Sequence, residues 1–187
     1  MKPAPQDIIA HTQKWLETFV IDLVLCPFAK APYATQRIHF QVSQATDQEA
    51  LLEDLTTEIQ RLLQATPEEI ETTLLIHPNV LTDFYEYNSF LQVVDGVIEH
   101  SSLSGILQIA SFHPEYQFAG THSEDAENYT NRSPYPTLHI IREDSISKAV
   151  DQDFPVDDIP ERNIELMENM GKQKLLKMFE ACFQKGE

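Results

Sequence analysis

His113, Pro114 and Glu115 follow an apolar run at 106–112, and the stretch they open, PEYQFAGTHSEDAENYTNRSPYP, continues to Pro136 before another apolar run begins. A connection of about 24 residues is long for a compact domain, where loops beyond ~12–15 residues are usually functional or disordered. This one is chemically varied rather than low in complexity. His113 is the first candidate for catalysis: an imidazole at a strand end can exchange a proton near neutral pH, and Pro114 stiffens the backbone that aims it. His77-Pro78 repeats the form after an earlier apolar run. Arg132 and Arg142 are the first cations after seventy residues without Lys or Arg. Their guanidinium forks suit a carboxylate or phosphate, with Asn131, Ser133 and Tyr135 adding hydrogen bonds. Glu115, Asp125 and Glu127 are near enough in sequence to be internal partners instead.

The same stretch offers a second chemistry. His113, Glu115, His122 and Asp125 supply imidazole and carboxylate groups for a divalent-metal hydrolase, although their spacing matches no H-E-x-x-H or zinc-ribbon pattern. Cys26, followed by Pro27, is a candidate nucleophile or pocket residue. The end of the preceding helix disfavours its thiolate, which Lys30 could offset. His139 alternates with Leu138 and Ile140 inside a strand pattern and would line a pocket only if that face were open. Neither Cys26 nor Cys182 belongs to a C-x-x-C pair. Five glycines provide no G-x-G-x-x-G or Walker loop, and G-x-S-x-G is absent. No motif calls for a cofactor.

The elements that must position these groups follow from periodicity. A helix is expected over Pro5–Leu25, ended by Cys26-Pro27. The linker FAKAPYATQ leads to a strand over Arg37–Ser43. The capping box Thr46-Asp47-Gln48-Glu49 opens a helix to Gln64. Strands over Thr73–Ile76, Ile106–Phe112 and Thr137–Ile141, a helix capped at Thr82, a short helix over Ser145–Val150 and one long helix from the Asp158-Ile159-Pro160-Glu161 cap through Phe183 complete the pattern. The expected fold class is α/β, bordering on α+β: a four-stranded mixed sheet with a βαβαβ core, a long β3–β4 loop and flanking terminal helices. One globular domain would span 1–187, with the N-terminal helix in 1–26, the sheet and crossover helices in 37–142, and C-terminal helices in 143–184. Right-handed crossovers would put the two middle helices on one face. If the first three strands are parallel and the fourth antiparallel, His77, His113 and Pro134–Pro136 share one rim, where α/β sheets bind ligands.

Composition bounds the partners. The chain has 187 residues, 42% hydrophobic and 23% charged, with a net charge of −17. Positions 62–131 hold eleven acids and no Lys or Arg. Such a field repels nucleic acid and anionic membrane and leaves basic proteins or cations as attracted partners. No run approaches the ~18 apolar residues of a membrane span, and MKPAPQDIIAHTQKW has no signal-peptide pattern. The expected location is the cytoplasm, with both thiols reduced.

LCPFAK at 25–30, ASFHPEYQFAG at 110–120 and DAENYTNRSPYPTLHIIRE at 125–143 resemble the signatures of domain-of-unknown-function family 1415, in order and spacing, over most of the chain. The resemblance implies no activity. It implies that Cys26, Pro27, Phe28, His113, Pro114, the Asn131–Pro136 run, His139, Arg142 and Glu143 occupy hallmark positions. Three functions fit the residues: an enzyme or binding domain for a small anionic ligand at the 113–136 loop, a non-catalytic interaction module whose 112–143 motif is a structural staple, and the metal hydrolase.

Overall fold

The computed structural model describes residues 2–150 and 158–184, with side chains for all of these except 148–150. Four strands, β1 (Ile38–Val42), β2 (Thr72–Ile76), β3 (Leu107–Phe112) and β4 (Thr137–Arg142), form one sheet in the order β1-β2-β4-β3. β1 and β2 are parallel, and β4 runs antiparallel to both β2 and β3. The fold is therefore the expected α/β type with a mixed sheet. The sheet also splits the second β-α-β unit: β4 inserts between β2 and β3, so that three strands point one way and the last returns among them.

Helices α3 (Gln48–Gln64) and α4 (Phe84–His100) make the two crossovers. Both crossovers step across the sheet in the same direction, so connections of one hand land on one face. Leu51, Leu55, Ile59 and Leu62 of α3 and Tyr87, Phe90, Val94 and Ile98 of α4 bury there against Leu75, Leu107, Leu138 and Ile140. The capping chemistry is one residue displaced from expectation at both helices. Asp47, not Thr46, is the α3 N-cap and accepts from the Ala50 amide; Asp83, not Thr82, caps α4 and accepts from Tyr85 and Glu86. A carboxylate neutralises the positive helix end better than a hydroxyl, which favours the aspartates.

The chain's two ends cover the other face. The expected first helix is α-helical only over α1 (Pro5–Trp15) and then widens into a π-helix at Leu16–Ile21. Trp15, Leu16, Phe19 and Val20 bury with Tyr129, Met167 and Leu175. The linker after Cys26 contains a short helix, α2 (Lys30–Ala34), and the helix after β4, α5 (Glu143–Val150), starts at Glu143 rather than Ser145. The expected single C-terminal helix is two, α6 (Ile159–Met170) and α7 (Lys172–Ala181), separated by Gly171 at φ 76° and ψ 147°. That backbone conformation is open to glycine and strained for other residues. Asp158 stands at the α6 N-cap but makes no side-chain capping bond. Arg162 of α6 donates to the Leu23 and Val24 carbonyls, and Asn163 donates to that of Leu25. These bonds clip the exit of the π-helix.

Candidate functional site

The carboxyl ends of β2 and β3 and the start of β4 meet at one rim. The His77 amide donates to the Pro136 carbonyl at 2.9 Å. The Tyr87 hydroxyl donates to the Thr137 carbonyl at 2.8 Å and accepts from the Phe112 amide at 3.2 Å. Tyr87 also stacks on His77 at 5.7 Å between centroids and lies 5.1 Å from the His113 ring. Tyr87 is the residue that sequence reasoning used only as core. Its place at helical spacing in the α4 stripe fits that reading, and only the register of β4 reveals its polar role.

His113 is fully buried, and both its nitrogens are engaged. Nδ1 accepts from the Glu115 amide at 3.0 Å, so the proton sits on Nε2 and is donated to the Leu81 carbonyl at 3.2 Å. Burial lowers its pKa, and the ring is held neutral as a bridge between β3 and the loop before α4. His77 donates from Nδ1 to the Val80 carbonyl at 3.0 Å, while its buried Nε2 has no protein partner. Burial pushes its pKa down to about 4, and the nearby His113 adds to the effect.

The loop after His113 is internally ordered. The His113 amide donates to the Asn131 carbonyl, and the Ser133 amide to that of His113. Asn131 donates through its side chain to the Ser111 carbonyl, and Ser133 to that of Tyr135. Asn128, wholly buried, accepts from the Phe118 amide and the Thr121 hydroxyl and donates to the His122 carbonyl. This residue too was missed; an asparagine in a turn-forming stretch with Gly120, Ser123 and Asp125 was the available signal. A 3₁₀ turn at Ala126–Thr130 carries it.

Arg132 donates from Nε to the Tyr116 carbonyl and from Nη2 to that of Ser123, with its guanidinium 4.8 Å above the Tyr129 ring. Arg142 reaches the carbonyls of Leu62, Ala65 and Ile70, closing the carboxyl end of α3 and the turn after it. Neither arginine pairs with Glu115, Asp125 or Glu127. The partners are main-chain oxygens.

His139 and Cys26 lie on the opposite side of the sheet from His113. In β4, Leu138 and Ile140 face α3 and α4, so His139 faces the terminal helices, with Phe112 at 6.2 Å between ring centroids. Thr72 gives its one hydroxyl proton to the Ile140 carbonyl at 2.7 Å, so His139 Nε2, 2.6 Å from the same oxygen, is the donor in that contact. Burial lowers the His139 pKa to about 4. Cys26 packs against the terminal-helix cluster that contains Trp15 and Phe19. Burial raises its pKa, partly opposed by the Phe28 and Ala29 amides directed at the sulfur. Tyr135 stands apart, its hydroxyl 2.8 Å from Nδ1 of His11. The sheet therefore divides the candidates: His77 and His113 on the α3–α4 side, His139 and Cys26 on the other, Arg132 out in the loop.

The four residues of the metal reading do not converge. His113 has no free nitrogen, and Asp125 Oδ2 accepts from the His122 amide. Among the described residues no three His, Cys, Asp or Glu side chains are placed to hold a cation.

The family model described as "Protein of unknown function (DUF1415)" matches residues 7–177. The chain belongs to the DUF1415 family. A search of curated proteins and a search of solved structures each return no significant match. The DUF1415 match covers every candidate residue, from Cys26 to Arg142, and assigns a role to none. No helix among the described residues is long and apolar enough to cross a membrane.

Proposed function

We propose that the protein is a non-catalytic interaction module of the cytoplasm, and that its 112–143 motif is a structural clasp. One observation carries this reading: every hydrogen bond made by the His113 and Arg132 side chains among the described residues ends on the main chain of the protein itself. A catalytic imidazole needs a nitrogen facing substrate, and His113 offers none.

Urea unfolding of His113→Gln and Arg132→Gln tests the clasp. His113→Gln is expected to lose about 1–3 kcal/mol by stranding the buried Leu81 carbonyl, and Arg132→Gln about 0.5–1.5 kcal/mol, since its carbonyl partners are half-buried or exposed. Unchanged stability in both would sink the reading.

A second reading keeps a small anionic ligand at the loop, and a specific feature favours it. Arg132 has no carboxylate partner, and its Nη1 makes no hydrogen bond among the described residues. Thermal shift with phosphate and citrate separates the two. Stabilisation of the native chain that disappears in Arg132→Gln supports the ligand reading, whereas equal or absent shifts in both support the clasp.

A further inference from the structure

The outer surface of α4 carries features that the clasp does not use. Tyr85, in the first turn, is 74% exposed, and Val93, two turns further on, is 45% exposed. Between them lies a cleft of about 390 Å³ lined by Gln48, Tyr85, Glu86, Ser89, Phe90 and Val93. Its floor is apolar, since Phe90 is 3% exposed and belongs to the core. Gln48 at the start of α3 forms one wall and the Tyr85–Val93 face of α4 the other; Glu86 lines it, and Glu49, next to Gln48 in the first turn of α3, adds a carboxylate nearby. Glu86 and Glu49 are exposed, and no ion pair engages either among the described residues. The whole 62–131 stretch, to which α4 belongs, contains eleven acids and no Lys or Arg.

We propose that this groove docks a basic segment of another protein, one in which Arg or Lys alternates with aliphatic residues. The inference rests on the interaction-module reading and gives that module its surface and partner chemistry. Each part of such a segment has a counterpart. A guanidinium or ammonium group lies over the Tyr85 ring face and beside the Glu86 carboxylate. The aliphatic stems and a Leu or Ile side chain fill the cleft over Phe90 and against Val93. The surrounding acidic field steers a cation towards the groove. A net charge of −17 on each molecule opposes self-association and favours a basic partner over a second copy of this chain.

The test is fluorescence polarisation at physiological ionic strength with a labelled twelve-residue peptide of alternating arginine and leucine, against the same length of alternating glutamine and leucine. The native chain is expected to bind the first and not the second. Tyr85→Ala and Glu86→Gln should each weaken binding by about tenfold. Glu99→Gln, the same charge change at the far end of α4, should change it less than about twofold. All three sites are exposed, and circular dichroism checks that each variant folds. Equal losses for Glu86→Gln and Glu99→Gln would reduce the effect to diffuse charge and overturn the groove. So would binding of the glutamine peptide as tight as that of the arginine one, or no binding by the native chain at about 1 mM. A concentration-dependent dimer in sedimentation that Tyr85→Ala dissolves would instead assign the groove to a second copy. The clasp is scored separately by urea unfolding, so either idea can fail without the other.

Discussion

At the scale of single residues, burial fixes the protonation states and thereby a pH dependence. His77 has a folded pKa of about 4, below its ordinary value of 6.5. A histidine whose pKa is depressed by folding contributes stability that is fully present above the unfolded pKa and is lost as pH falls through the folded one. The window is therefore pH 6.5 down to 4, and the shift corresponds to about 3 kcal/mol from His77 alone. His139, with a pKa near 4, and His113, shifted the same way, add to the loss. Urea unfolding is expected to show stability falling steadily between pH 7 and pH 4.5, more gently in His77→Gln than in the native chain. A stability that is flat over that range would contradict the burial argument. The residue scale is also where the sequence was least legible. The local pattern distinguishes His113, after a strand, from His139, inside one, but not the sheet face each takes. That face depends on the pairing of Ala110 with His139 and of Phe112 with Thr137, a long-range register that no local pattern reports.

At the scale of elements, strong periodicity was readable and tertiary exceptions were not. β2 stands out as an apolar run and proves to be buried along its whole length. The α3 and α4 stripes bury most of the side chains that their spacing implies, but Leu63 of α3 is exposed, and in α4 Phe90 is buried where Leu91 was expected. The π-helix leaves no such mark, because Leu16–Ile21 keeps an ordinary helical pattern while its buried residues pack with Tyr129, Met167 and Leu175. The break between α6 and α7 had a signal, a glycine inside a periodic run, but the apolar pattern continues across it. Two glycines then make opposite predictions. Gly171→Ala is expected to destabilise by about 1–3 kcal/mol through backbone strain alone, since a Cβ there meets nothing within 4 Å. Gly96→Ala, in the interior of α4 and equally unobstructed, should stabilise by about 0.5–1 kcal/mol by lowering the entropy of the unfolded chain. Urea midpoints that move in the same direction for both would refute the assigned conformations.

At the scale of the whole molecule, charge and connectivity dominate. A net charge of −17 is a self-repulsion that added salt screens, because the Debye length falls from about 10 Å at 0.1 M to about 3 Å at 1 M. Raising sodium chloride from 20 to 300 mM should therefore raise the melting temperature at pH 7.5, and a decrease would mean that attractive ion pairs outweigh the repulsion. The two-faced covering of the sheet was legible as an expectation, but not which chain segments meet. Arg162 and Asn163 reach Leu23, Val24 and Leu25 across 138 or 139 positions. That clip has a consequence for the order of assembly. The α3–α4 side closes through neighbouring segments, whereas the other side needs the first helix and the last two together. Contacts of such sequence separation form slowly, since a large loop must close before they are made. During synthesis the emerging chain would carry Phe19 and Tyr129 uncovered on the side that Phe179 later packs until residues 159–181 leave the ribosome, an interval in which chaperones have something to hold.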